Sequence, residues 1–461
     1  MICFLGVVGK SLTFAPNMAT PRSVAFHTLG CKLNYSETSS ISRLFEEQGY
    51  AIQPFESPAD IYVINTCSVT DFADQKCRQV VRKALRRNSH ARVIVTGCYA
   101  QLKPNEIAEI PGVDLVLGAA EKFRMLDYVE LLVSGHTGTQ VFTSAIKEAK
   151  SFTSAFSFGD RTRSFLKVQD GCDYKCTFCT IPLARGASRS DSIANIIENA
   201  VRLGEAGAKE IVLTGVNIGD FGNGTAVIEG ERPKKEALFI DLIRALDEVE
   251  AISRFRISSI EPNLCTNEII KFVATSQRFM PHFHMPLQSG NDKQLRMMRR
   301  RYTRDVYADR VKLIKAIMPH ACIGVDVIVG FPGETDADFL ETLSFIEALP
   351  ISYLHVFTYS ERPDTPAIHL EHSVPMAVRR QRNEQLRLLS DIKKRAFYTE
   401  HLGTVRPALF EQDKSPDTWS GFTDNYIQIA ISRELGQLNI IAPVHLNKLD
   451  ADGICIVAPT T

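Results

Sequence analysis

Three apolar runs, VAFHTLGC, IYVINTC and RVIVTGC, end in Cys31, Cys67 and Cys98, and each passes straight into a stretch of helical periodicity. Strand–helix alternation returns each strand beside its predecessor, so these strands are expected to be parallel neighbours. A fourth is expected at LVLG near residue 115. Ligands of such a sheet collect outside the carboxyl ends of its strands, where three terminal thiols could converge although the chain separates them widely. The competing reading is three unrelated core cysteines, because unpaired cysteine is commonly a small buried hydrophobe.

A second group is local. GCDYKCTFC holds Cys172, Cys176 and Cys179, with no further thiol until Cys265 and no histidine between His136 and His282. A structural zinc ion wants a closed set of four ligands, which this stretch does not offer. A cubane iron–sulfur cluster normally takes four thiolates, so three leave one iron open to another ligand. Here the chain resembles the radical S-adenosylmethionine superfamily, whose CxxxCxxC loop holds a [4Fe-4S] cluster. With Cys31, Cys67 and Cys98 added, it resembles the methylthiotransferases, whose amino-terminal domain carries a second [4Fe-4S] cluster. The resemblance runs from about Ser23 to the end. TLGCKLNYSET, INTCSVT, TGCYAQ and CTIPLARGASRS are most similar to the branch that acts on N6-threonylcarbamoyladenosine in tRNA. The isopentenyladenosine branch tends to a GCQMN-like start and the ribosomal-protein branch to a GCPKN-like one, whereas Lys32 follows Cys31 here.

The resemblance implies an enzyme that places sulfur on C2 of the adenine beside the anticodon and methylates it, with S-adenosylmethionine serving both steps. It also implies tRNA as substrate and an electron donor such as flavodoxin or ferredoxin; the sulfur donor stays open. The alternatives are action on isopentenyladenosine or on a ribosomal-protein aspartate and, more distantly, a non-enzymatic iron–sulfur RNA-binding protein. All six cysteines are the candidate catalytic and metal-binding residues. For the cofactor, Phe178 lies between two ligands where the family often has an aromatic beside the adenine ring. Gly215, Asn217, Ser259, Glu261, Gln288 and Gly330 each stand at the end of an expected strand, where a ligand site of a β/α barrel would be built. Arg185 and Arg189 are candidates for a cofactor carboxylate or an RNA phosphate. His282 and His284 share a strand face, but neither a carboxylate nor a third histidine accompanies them in the sequence, so packing is the expected role. Cys77, Cys265, Cys322 and Cys455 are read as core residues.

The 461 residues exceed one ordinary core. The expected fold class is α/β in three parts: a parallel α/β domain at 21–145, a partial (β/α)6 barrel at 165–398 after a linker at 146–164, and a small antiparallel β-barrel at 399–461. The middle part rests on six apolar runs, FLKVQ, EIVLTGVN, RFRISSI, HFHMPL, CIGVDVIVG and YLHVFTYS, separated by helical patterns. The last corresponds by resemblance to a TRAM domain, an RNA-binding module, and YIQIAIS puts Ile427, Ile429 and Ile431 on its inner face. Residues 1–20 read as a tail, or as sequence ahead of a start at Met18. Eleven cysteines without a secretory leader suit a reducing cytoplasm, and no stretch approaches membrane-spanning length. Charges balance at 53 basic and 53 acidic. Their distribution does not: Lys76 to Arg92 holds seven Lys or Arg and no carboxylate, and further basic clusters stand at 296–304 and 379–395, as a polyanionic partner would require.

Overall fold

Alternation within the first strands decides the amino-terminal architecture. In the computed structural model, which describes residues 22–67, 71–133, 138–159, 161–234, 237–413 and 415–460, six parallel strands form one sheet. They are β1 (Ser23–Thr28), β2 (Ala51–Gln53), β3 (Ile61–Thr66), β4 (Arg92–Gly97), β5 (Leu115–Leu117) and β6 (Gln140–Phe142), in the order β2-β1-β3-β4-β5-β6. The first helices are α1 (Lys32–Glu47), α2 (Asp71–Arg87), α3 (Cys98–Leu102), α4 (Pro104–Ala108) and α5 (Met125–Val133). Val24, Ile61, Val63 and Ile94 pack with Ile41 and Phe45 of α1 and Met125 and Val129 of α5. Their neighbours Ala25, Tyr62, Ile64, Val93 and Val95 pack with Val80, Val81 and Ala84 of α2. Helices thus cover both faces, which is why the strands read as nearly unbroken apolar runs. Two strands have no such signal: β2 and the edge strand β6 are three residues each, and β6 falls just ahead of the expected linker. The tail expected at 1–20 lies outside the described residues.

Six further parallel strands build the central part: β7 (Ser164–Lys167), β10 (Glu210–Thr214), β11 (Arg254–Ile257), β12 (His282–Gln288), β13 (Cys322–Val329) and β14 (Tyr353–Thr358). A short antiparallel ladder, β8 (Gln169–Asp170) with β9 (Arg189–Ser190), brackets the cysteine loop. The six form two three-stranded sheets, β7-β10-β11 and β12-β13-β14, joined by one isolated parallel bridge between Phe255 and Phe279. This is the open partial barrel expected from the repeats. Most of its buried side chains form one core, Cys265 among them.

The carboxyl-terminal strands β15 (Val405–Gln412), β16 (Thr418–Thr423), β17 (Gln428–Ser432), β18 (Ile441–Leu449) and β19 (Cys455–Pro459) close into a barrel in the order β15-β16-β17-β19-β18. Ile427, Ile429 and Ile431 are buried in its core with Cys455. One detail differs from the antiparallel expectation: β17 and β19 run parallel, because the chain crosses the barrel between them. The barrel docks on the amino-terminal ends of the central strands. Arg254 and Arg256 of β11 donate to the Pro407 and Asp424 carbonyls at 2.8 and 3.1 Å, and Tyr426 stacks on His282 at 4.1 Å between ring centroids.

Gly97 links this fold to the site. Its φ is +100°, and a Cβ there would lie 2.4 Å from the Thr66 carbonyl oxygen. Gly97→Ala is expected to destabilise the amino-terminal sheet by roughly 1–3 kcal/mol, read as a lowered melting temperature.

Candidate active site

Cys31, Cys67 and Cys98 follow the carboxyl ends of β1, β3 and β4, three adjacent strands, as their apolar runs imply. Cys31 caps α1 and is exposed, Cys67 is half-buried, and Cys98 opens α3 and is buried. Gly30, at φ +113°, lets the Cys67 sulfur sit close: a Cβ on Gly30 would be 3.1 Å from it. Asn34 clasps the two loops, its Nδ2 donating to the carbonyls of Leu29 at 3.0 Å and Thr66 at 2.9 Å. Burial pushes the Cys98 thiol up, and Cys31 is close enough to push it further, while Arg185 and Lys122 pull it down. Thiols following the ends of three adjacent strands, with Arg185 and Lys122 acting on Cys98, offer the donor type that an anionic metal–thiolate centre needs.

The second triad hangs on a loop pinned at several points. Gly171, at φ +68°, lies so close to Ala187 that a Cβ would sit 2.0 Å from its carbonyl oxygen. The Cys172 amide donates to the Gly186 carbonyl at 3.0 Å, and the Tyr174 amide donates to the Cys172 sulfur at 3.4 Å. Thr177 holds the other side through the carbonyls of Met297 and Met298. Burial raises the thiols of Cys172 and Cys176, and that of Cys179 to about 12. A cationic centre would reverse that preference and hold all three as thiolates. The Arg300 guanidinium donates to the Cys176 sulfur at 3.1 Å and pairs with Glu261.

Around this loop the structure gathers several of the expected cofactor residues. The amides of Val216 and Asn217 donate to Oε1 of Gln169 at 3.0 and 2.9 Å, while Gln169 Nε2 donates to the Asp170 and Gly171 carbonyls. Gly215 allows this approach, since a Cβ would lie 2.9 Å from the Gln169 carbonyl oxygen. The Asn217 side chain is buried, and neither of its amide atoms has a protein partner, which fits a polar ligand such as an amino-acid moiety. Phe178 and Gln288 line a cavity of about 180 Å³ together with Cys179, Ile328 and Phe357. Ser259 is half-buried just past the end of β11. Gly330 serves something else. Its φ is +74° and a Cβ would be 2.2 Å from the Arg379 side chain, so it makes room for packing by the helix Met376–Glu400.

Arg185 departs furthest from expectation. It ends the short helix α6 (Ile181–Arg185), six residues past Cys179, and is buried, bonded to both oxygens of Glu37 at 3.1 Å, to Asp170 at 3.0 Å and to Asn34. Lys122 and Lys167 join the same carboxylates at 2.8–3.1 Å. A guanidinium so engaged is committed to joining the two cysteine sites rather than to a phosphate. Arg189 is held by Asp170 and by the Ser151, Arg185 and Ala187 carbonyls, with part of its side chain at the surface. Sequence reasoning misses Asn34, Glu37, Lys122, Lys167 and Asp170. A lysine inside the apolar run SFLKVQ is the one signal that could have found them.

The basic clusters also divide. On α2, Lys76, Arg78, Arg82, Lys83 and Arg86 are exposed, leaving a basic ridge on the helix that follows Cys67. Of the arginines at 296–304, only Arg296, Arg299 and Arg301 are exposed. Arg379 and Arg382 of the third cluster are buried in ion pairs with Glu361, Glu334 and Asp336.

The family model described as "Uncharacterized protein family UPF0004" matches residues 23–118, and that of the radical SAM superfamily matches residues 166–346. The threonylcarbamoyladenosine tRNA methylthiotransferase MtaB of Bacillus subtilis (strain 168) is 40% identical, covering 92% of this chain and 94% of that protein. The tRNA-2-methylthio-N(6)-dimethylallyladenosine synthase of Novosphingobium aromaticivorans is 33% identical, covering 88% and 91%. Among solved structures, the radical S-adenosylmethionine methyltransferase TsrM from Kitasatospora setae superposes with a TM-score of 0.55 at 12% identity, covering 95% of this chain and 88% of that one, and so shares its fold.

Proposed function

For a chain that belongs to the radical S-adenosylmethionine methylthiotransferases, we propose the conversion of N6-threonylcarbamoyladenosine in tRNA to its 2-methylthio derivative. One observation carries the reading: two thiol triads, on separate parts of the fold, are tied together by Arg185, in a chain 40% identical to an enzyme named for that substrate. Cys172, Cys176 and Cys179 would hold one [4Fe-4S] cluster, and Cys31, Cys67 and Cys98 a second. When bound, these groups and S-adenosylmethionine supply one-electron chemistry at an unactivated aromatic carbon, a place for the sulfur to be inserted, and the methyl group.

The protein's own residues do the positioning. The Asn217 side chain, on a turn held by Gln169, offers polar contacts for the cofactor's amino-acid end, and Phe178 offers an apolar wall for its ring. Phe178, Ile328 and Phe357 give the cavity an apolar side that limits water where a reactive species would form, and Phe331 packs T-shaped against Phe178. Arg300 donates to the Cys176 sulfur, a contact that would raise the potential of a cluster held there by stabilising its reduced, more negative form. A low-potential donor such as flavodoxin or ferredoxin would supply the electron. Among the described residues no helix is long and apolar enough to cross a membrane.

The α2 ridge is the proposed tRNA contact. Arg82→Ala with Arg86→Ala is expected to weaken tRNA binding and to lower the slope of log affinity against log salt by about 1 for each phosphate that is no longer neutralised. Filter-binding titrations across a salt series measure it.

Nucleoside analysis of tRNA from a deletion strain tests the substrate. The 2-methylthio derivative of N6-threonylcarbamoyladenosine should vanish and return on complementation. Disappearance of the 2-methylthio isopentenyl nucleoside instead would assign the chain to the other tRNA branch.

A further inference from the structure

The sequence leaves His284 without a carboxylate or third histidine beside it; the sheet supplies both. Parallel register sets Pro286 of β12 against Asp326 of β13, and Asp326 against His355 of β14. His284, Asp326 and His355 therefore stand on three adjacent strands, with one ligand-type atom from each lying within 4.8 Å of the others. His284 Nε2 is 2.9 Å and His355 Nδ1 3.4 Å from the same oxygen, Oδ1 of Asp326. The far nitrogen of His284, Nδ1, meets the Tyr353 hydroxyl at 3.3 Å, which in turn meets His282 Nε2 at 3.0 Å.

We infer that His284, Asp326 and His355 form a divalent metal site of the zinc class on the wall of the central barrel, with no ligand taken from either cysteine triad. Two imidazoles and one carboxylate are a common protein set for first-row divalent ions, and three ligands leave coordination positions open. An oriented far nitrogen on a ligand histidine is the usual companion of such a site, and Tyr353 provides it for His284. His284 is buried and fixed, Asp326 is half-buried, and the His355 side chain is 56% exposed, so an ion has both an anchored side and a path in from solvent. Asp326 also lines the cavity shared with Phe178, Cys179 and Gln288. An open metal position there would take water or an oxygen donor, such as a carboxylate or hydroxyl, from whatever occupies that cavity. The plain alternative is a hydrogen-bonded trio in which both rings donate to Asp326. His282 stays out of the set, stacked on the Tyr426 ring and hydrogen-bonded to the Tyr353 hydroxyl.

Zinc binding decides between them. Full-length protein with its clusters assembled anaerobically is equilibrated with Zn²⁺, bound metal is counted, and zinc-edge X-ray absorption reports the ligands. One zinc per chain with a nitrogen or oxygen shell at about 2.0–2.1 Å is expected. It should be lost in His284→Gln and Asp326→Asn, fall at least tenfold in affinity in His355→Gln, and fall about tenfold in Tyr353→Phe. The exposed His355 can be replaced without disturbing the core, so its variant separates lost binding from lost folding. Zinc uptake equal in wild type and variants, no uptake, or only a sulfur shell near 2.3 Å overturns the site. These outcomes do not depend on which nucleoside the chain modifies.

Discussion

Replacing Cys31, Cys67 and Cys98 together by alanine is expected to remove about four irons per chain and to abolish methylthiolation, while cleavage of S-adenosylmethionine continues. The separation follows from how each triad is held. Cys31, Cys67 and Cys98 belong to the ends of β1, β3 and β4, whereas Cys172, Cys176 and Cys179 ride on a loop pinned by Gly171, Tyr174 and Thr177 to the central barrel. Losing one set of thiols removes none of the other's anchors. Iron and sulfide counting on anaerobically prepared protein, with release of 5′-deoxyadenosine as the second readout, measures both halves. Unchanged iron, or loss of cofactor cleavage in step with the iron, would mean that the amino-terminal thiols do not hold a separate cluster.

Glu37→Ala should be the most damaging single change outside the cysteines, with a loss of about 3–5 kcal/mol at the junction of the amino-terminal sheet and the barrel. Burial alone would push the Glu37 carboxyl up, but Arg185, Lys122 and Lys167 hold it well below the usual carboxylate range. Without it, those three cations keep only Asp170 as a carboxylate between them, in a place water does not reach. The sign of the pH dependence follows. A carboxyl depressed in the folded state stabilises above its unfolded value of about 4.3 and loses that contribution as pH falls toward the folded value. Acid melts of wild type should therefore steepen below about pH 4, and the Glu37→Ala chain, already weakened at neutral pH, should lose less on further acidification. A neutral-pH melting temperature within a degree or two of wild type would contradict the assignment.

What the sequence reveals follows from whether a signal is local. The cysteine-ended strands are legible because a strand buried on both faces writes an unbroken apolar run, and because the next helix starts where the strand stops. The cysteine loop is legible from spacing alone. The trio His284, Asp326 and His355 is not, since it depends on which residues a parallel register sets side by side. Its traces are the paired histidines of HFHMPL and a lone acid in the otherwise apolar strand GVDVIVG. Arg185 reads as a cation beside a cofactor loop, and what it meets comes from another part of the chain, 148 residues from Glu37. Gly330 has the appearance of a ligand-facing turn, but its free space belongs to Arg379.

The Asn34–Arg185 and Glu37–Arg185 bonds limit how this chain can be recombined with its relatives. Grafting a foreign amino-terminal half onto the barrel would need an asparagine and a glutamate at matching places on its first helix. Otherwise the graft would leave the Arg185 guanidinium and the Lys167 ammonium with Asp170 as their one remaining carboxylate. Functional chimeras should thus be recovered chiefly when both halves bring these partners along, so that the seam between the two sulfur-bearing halves is inherited as a unit.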